Sequence, residues 1–514
     1  MWSYLLRRIF ASVGVLLAAS YVVYILTANA GDPLEELRTS QARNKDQLIA
    51  EATARLQLDV PAPIRYFIWL GGVLKGLWGQ LDLGVTNTGL PVADLLGNAV
   101  VVTIRLLITA TVLAIVVGIT VGITTALRQY SAYDYSVTLL AFLFFSLPSF
   151  FVAVLLKQYA GIGFNDFLRD PTFSPWTIAI TAIVMGVVWL GILGGDLRRR
   201  LSTFLVAALA TAVLMTFWSI TGWFADPGLG IVGVGVIGVG LAFLITALST
   251  GLQNRRALYS ALTVVVVGLA AYYPFMLYSN QMNLWILIGL GIVTIGVGLL
   301  VGWLWGGPDR GASMRTAALA GVLVAFTIVV DRLMQSWEVY ASSQITNGRP
   351  IATVGAGTPN LSTFTDSFWI GTLDAFTHLL LPTMALLLIS LASYSRYSRA
   401  SLLEVLNQDY IRTARAKGLN ERTIVMRHAF RNSLIPITTI VAFDFGGLIG
   451  GAIITETVFA WSGMGALFNT ALQRIDLNQM MAFFLVTAAV ALVFNLLADL
   501  TYSALDPRIR VASE

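Results

Sequence analysis

The stretch Asp409-Tyr-Ile-Arg-Thr-Ala-Arg-Ala-Lys-Gly418-Leu-Asn-Glu-Arg-Thr-Ile-Val-Met-Arg-His-Ala-Phe-Arg-Asn-Ser-Leu-Ile-Pro436 organises the reading of this chain. A helix is expected up to Lys417. Gly418 suits its end, because glycine takes the left-handed cap without strain. Asn420 or Thr423 can start a second helix, with Glu421 in its first turn. Pro436 stands where the next apolar run begins. The pattern is a short helix, a tight turn and a second helix lying under a bilayer. Eight basic residues gather between Arg396 and Arg431.

Apolar runs flank this segment on both sides. A spanning helix needs roughly 20 mostly apolar residues. Twelve runs qualify, near 9–27, 99–127, 135–158, 176–195, 202–223, 229–250, 257–278, 284–305, 316–334, 376–393, 434–458 and 481–505. The expected fold is all-α and polytopic. Composition agrees: 57% of the 514 residues are hydrophobic and 11% charged, against about 25% charged in soluble domains. Mean hydropathy is +0.78. A soluble enzyme and a nucleic-acid-binding protein are excluded, so the net charge of +5 is no nucleic-acid footprint.

The basic residues set the orientation. With Arg7 and Arg8 in the cytoplasm, the alternating short loops hold Arg128, then Arg198–Arg200, Arg255 and Arg256, Arg310 and Arg315, and the tail Arg508 and Arg510. About 20 of the 32 basic residues fall inside, as the positive-inside rule requires. Both termini are therefore expected in the cytoplasm. Outside lie 28–98, with a helical stretch Gln47–Asp59 and aromatics Phe67, Trp69 and Trp78 expected to anchor an interfacial helix, and a Thr- and Gly-rich loop, 335–375.

Several chemistries drop out. There is no cysteine, and His378 and His428 are the two histidines, which removes thiolate and multi-histidine metal sites. None of the lysines, Lys45, Lys75, Lys157 and Lys417, completes a phosphate-binding loop. No cofactor is expected on this chain, and ATP would have to be held elsewhere. On the residues alone, 409–436 reads equally as a basic juxtamembrane stretch meeting anionic lipid.

Here the sequence resembles a family. Arg412-Thr413-Ala414 followed by Gly418 is similar to the EAA loop of binding-protein-dependent ABC importer permeases, in the form used by dipeptide and oligopeptide subunits of the B type. The likeness continues in Gly31-Asp32-Pro33, Leu58-Asp59-Val-Pro61, Ser146-Leu147-Pro148-Ser149-Phe150, His378-Leu-Leu-Leu-Pro382, Ser398–Glu404, Glu456-Thr-Val-Phe459, Trp461-Ser-Gly-Met-Gly465 and Asp506-Pro507-Arg508-Ile509-Arg510.

The resemblance implies a six-span permease in a bacterial cytoplasmic membrane. It would pair with a related second permease, two ATPase subunits carrying ATP and Mg, and an extracytoplasmic peptide-binding lipoprotein. Asp409, Arg412, Thr413, Ala414, Arg415, Lys417, Gly418 and Leu419 would meet an ATPase. Glu456, with Phe459 and Trp461 in a short re-entrant segment, would order an outer gate. Nickel chelates or oligosaccharides are alternative cargoes. An ion-coupled secondary transporter is an alternative class, for which no convincing inverted repeat is present. A membrane enzyme lacks a catalytic constellation.

The likeness stops near Gln158 and resumes near Phe376, leaving six extra runs. The chain then divides into a spanning helix (1–30), an outer segment (31–98), core helices (99–158), an inserted six-helix bundle with its loops (159–375), and core helices with the coupling loop 394–433 (376–514). Charges within spans are costly. Asp444 reads as a pathway carboxylate or as one satisfied by a partner. Arg105 and Lys157 are expected to snorkel, Asp499 to pair with a nearby arginine, and Pro148 and Pro382 to kink their helices. His378 is expected as a packed polar residue.

Overall fold

A computed structural model describes residues 2–41 and 43–505. The 506–510 signature, with Arg508 and Arg510, lies outside them, as does the side chain of Asp499. The protein is an all-α polytopic membrane protein. Among the described residues ten helices are long and apolar enough to cross a bilayer, and one bent pair can make an eleventh. The run at 434–458 lies within a further 29-residue helix.

In chain order the helices are α1 (Trp2–Ala28), α2 (Lys45–Arg55), α3 (Ala62–Lys75), α4 (Val92–Leu127) and the bent pair α5 (Ala132–Ser146) and α6 (Ser149–Phe167). Then come α7 (Pro175–Leu193), α8 (Leu197–Thr221), α9 (Gly230–Ser249), α10 (Arg255–Tyr278), α11 (Leu284–Gly306) and α12 (Arg310–Gln335). The chain ends with α13 (Phe368–Leu406), α14 (Asp409–Ala416), α15 (Phe430–Val458), α16 (Met464–Gln473) and α17 (Leu477–Leu505).

Helices α4 and α13 form the spine. Gly118 and Gly122 let them touch: a Cβ at Gly122 would sit 2.6 Å from the Ser395 carbonyl oxygen. Without a hydrophobic drive between helices in lipid, such small residues govern close packing. Helices α15, α16 and α17 pack around this pair, and α1 closes against α17.

The run at 135–158 bends at Pro148 as expected, α5 and α6 meeting at 106°; three other expectations change. Pro148 disfavours helix at the preceding residue, and Leu147 is extended (ψ 132°). Pro382, by contrast, lies inside the continuous 39-residue α13. In the outer segment Trp69 is no interfacial anchor: it is buried against Tyr24 of α1, while Phe67 and Trp78 remain exposed.

The third change concerns α7–α12. They do not form one six-helix bundle. Helices α9, α10 and α12 share a core of Val234, Ala242, Ala261, Val265, Ala320 and Val324. Gly302 and Gly298 bring α11 onto the backbone of α12 at Met314 and Ala318. Helices α7 and α8 stand apart as a hairpin whose close contact, Gly186 on Phe204, is spent within the pair, and which meets the rest through α5 and through Arg128 at the end of α4. The excursion is stapled at its root. Asn165 Nδ2 donates to the Ile351 carbonyl at 2.8 Å, and the Ile351 N–H donates to Asn165 Oδ1 at 3.0 Å.

Candidate coupling segment and outer gate

The basic segment folds largely as read. Helix α14 buries Ile411 and Ala414 against Ala126, Leu402, Ile424 and Ala429. Its other face leaves Asp409, Arg412, Thr413 and Arg415 exposed, followed by exposed Lys417, Gly418 and Leu419. Ala414 therefore faces the protein and is not available to a partner. Gly418 takes φ +77°. Its N–H donates to the Arg415 carbonyl at 2.9 Å, and the Leu419 N–H to the Ala414 carbonyl at 3.4 Å, the paired bonds of a left-handed helix stop. Asn420 Oδ1 accepts the Thr423 N–H at 2.8 Å and starts the next helix. Arg415 reaches over the turn to Glu421 at 2.7 Å.

The second helix is not a separate element under the bilayer. It runs through a wide turn, Ile424–Ala429, directly into α15. Pro436 lies inside α15 and does not mark its start. The segment is thus continuous with one flanking span and packed on the other, where Ser401 Oγ donates to the Ser433 carbonyl at 2.9 Å.

A tie absent from the sequence reading fixes α13 just before this segment. Arg399 grips Asp134 with two parallel bonds, Nε to Oδ1 and Nη2 to Oδ2, both 2.9 Å. Asp134 is 2% exposed and also accepts the Tyr130 N–H at 3.0 Å. Two charge-assisted bonds in a planar fork are among the stronger polar contacts.

At the opposite end Glu456 is fully buried. Thr103 Oγ1 donates to its Oε1, and the Gly465 N–H to its Oε2 at 2.7 Å. The Met464 N–H returns to Thr103 Oγ1 at 2.8 Å. One carboxylate thereby fastens the start of α16 to α4. Gly465 has no room for more, since a Cβ there would lie 2.4 Å from the Ile453 Cα. Phe459 and Trp461 are buried among Leu106, Leu107 and Ala110. Lys157 does not snorkel: its Nζ donates to the Val458 carbonyl at 2.7 Å. Arg105 is exposed on α4. Pro148 sits exposed at the α5–α6 break. Asp444 is half-buried beside the Tyr394 hydroxyl. His378 is buried, with Nδ1 2.8 Å from the Asp374 carbonyl.

Near the same end a cavity of about 290 Å³ is lined by Arg55, Arg65, Trp69, Asp82, Asn87 and Asp476. Asp476 is 2% exposed and accepts the N–H groups of Asn87 and Gln479 at 2.8 and 3.2 Å. Burial pushes its carboxyl above the ordinary range, and those N–H groups only partly offset it.

Residues 348–511, which hold the coupling segment, Glu456 and the α16 clamp, match the family described as binding-protein-dependent transport system inner membrane component. The matched region is less than half of the chain. The match begins beside the Asn165–Ile351 staple. Over 139 residues the chain is 44% identical to the oligopeptide transport system permease protein OppB of Mycobacterium tuberculosis, covering 27% of this chain and 43% of that protein. Over 138 residues it is 45% identical to the dipeptide transport system permease protein DppB of Escherichia coli, covering 27% and 41%. A putative peptide permease protein of Brucella ovis is 44% identical over 138 residues. The chain spans less than half the length of each of these relatives. Within the matched region Gly418, Glu456 and Asp476 are each held by specific backbone bonds. Sequence reasoning found the first two. It missed Asp134, Asp374, Asp476 and the buried Asp331, each of which stands near a run boundary and reads there as an ordinary surface charge.

Proposed function

We propose that this chain forms one half of the transmembrane pathway of an ATP-driven importer of di- and oligopeptides. The observation that carries this reading is α14. Its charged face stands outward while Ile411 and Ala414 are seated on residues of both flanking spans. A short helix held in this way can pass a rigid-body movement of a docked ATPase to α13 and α15. Its arginines suit an acidic rim on that partner. The peptide cargo is inferred from what the relatives are named for. The other components are a second related permease, two ATP-binding subunits that hold ATP and Mg, and an extracytoplasmic peptide-binding lipoprotein. The complex sits in a bacterial cytoplasmic membrane with both termini inside, and this chain contributes no catalytic site.

Purification of the tagged chain from its native membrane should recover an ATPase and a second permease. Recovery of neither sinks the importer reading. Gly418→Pro provides the finer test, because proline cannot take φ +77° and removes the N–H bonded to Arg415. Membrane insertion should persist while ATP hydrolysis no longer drives uptake; normal uptake would argue against coupling through α14.

A further inference from the structure

The α7–α8 hairpin carries a feature that the importer reading leaves unused. Between the two helices lies an open cavity of about 840 Å³, lined on α7 by Met185, Trp189 and Leu193 and on α8 by Val206 and Ala210. It continues to Trp218. From Ser202 to Trp218 a helix rises about 24 Å, more than half of a hydrocarbon core about 30 Å thick. Among the residues of α8 only Met215 is buried, and among the described residues no other helix lines the groove.

One mouth of the groove is strongly basic. Arg198, Arg199 and Arg200 are exposed there. Arg128 joins them, its Nη1 donating to the Ile192 carbonyl at 2.8 Å. Asp196 is the one acid in the turn Gly194–Asp196. Arg199, Thr203, Val206 and Ala210 fall on one stripe of α8, spaced four, three and four residues apart. A positive charge and a hydroxyl therefore lead directly into the apolar trough.

We propose that this groove is a binding site for an anionic phospholipid. The phosphate sits among Arg128 and Arg198–Arg200, and an acyl chain lies along Met185, Trp189, Val206 and Ala210. Ser202, Thr203, Ala207, Ala210 and Thr211 keep the α8 wall low, as close approach of an acyl chain or a helix requires. The four arginines at one mouth favour the phosphate-headed occupant. The proposal stands independently of the importer reading.

The test uses the full-length chain, purified, stripped of lipid and titrated with phosphatidylglycerol or phosphatidylcholine, with native mass spectrometry as the readout. The wild type should retain phosphatidylglycerol preferentially. The triple variant R198Q/R199Q/R200Q should lose that preference, at about fivefold in affinity per arginine. Ala210→Trp, which fills the trough, should retain less of both lipids. R255Q/R256Q/R315Q removes as many charges from the same face away from the groove, and should leave the preference intact. Equal loss in that control would mean general surface charge and would overturn the site. So would an unchanged preference in the first triple variant, unchanged retention in folded Ala210→Trp, or cross-linking at position 210 that captures a protein helix in place of lipid. The arginine variants alter only exposed side chains, so their outcome stands even where Ala210→Trp fails to fold.

Discussion

At the scale of single residues, the buried carboxylates act as fasteners. Glu456→Ala removes both acceptors and leaves the buried Gly465 N–H without its partner. A buried donor left unsatisfied costs on the order of 1–3 kcal/mol. The variant should unfold at lower temperature and expose the 459–473 region to protease; an unchanged melting point would contradict the clamp. Asp476 gives a prediction with a sign. Its carboxyl is raised above its ordinary 3.8 by burial, so across the window between the two values the folded chain holds more proton than the unfolded one. Stability therefore falls as pH rises through that window and is regained on acidification. The difference in melting temperature between the wild type and Asp476→Asn should change across the same window, and a pH-independent difference would refute it. Glu456 was legible because a charge within an apolar run is conspicuous. Its role was not, because a pathway carboxylate and a clamp have the same sequence signature and differ only in what stands opposite.

Among whole elements, the Asp134–Arg399 fork joins α5 to α13 shortly before α14. Arg399→Ala leaves a buried carboxylate unpaired and should lower stability by about 2 kcal/mol. Adding Asp134→Ala should recover part of that loss, and thermal unfolding of the two single variants and the double variant measures the coupling. Additive effects would show that the fork contributes nothing as a pair. Periodicity could not reveal this tie, because its partners are 265 residues apart in sequence. The spanning helices were legible, since an apolar run of sufficient length has one stable form in lipid. The bend between α5 and α6 was legible in Pro148, but its angle of 106° was not, because a proline marks where a helix breaks and the packing around it sets how far it turns.

For the molecule as a whole, the even number of crossings in α7–α12 was readable from charge alternation. The split into a hairpin and a four-helix group was not, because it depends on which glycine faces meet. Replacing residues 171–335 by a flexible linker of about 10 residues should leave a chain that still inserts. Trp369 would lose its bond to the Ser279 carbonyl and meet the membrane interface, where tryptophan is well suited. Protease mapping and thermal unfolding of the excised chain check this; failure to insert would show that the core depends on the excursion. The Asn165–Ile351 staple gives this arrangement a meaning in chain statistics. Departure and return points are held together by the core itself, so the helices between them form a closed loop. The entropy of closing such a loop grows only by about 0.6 kcal/mol per doubling of its length. Hairpins could thus be gained or lost there two crossings at a time, at little cost to the rest of the protein and without reversing the direction of any core helix.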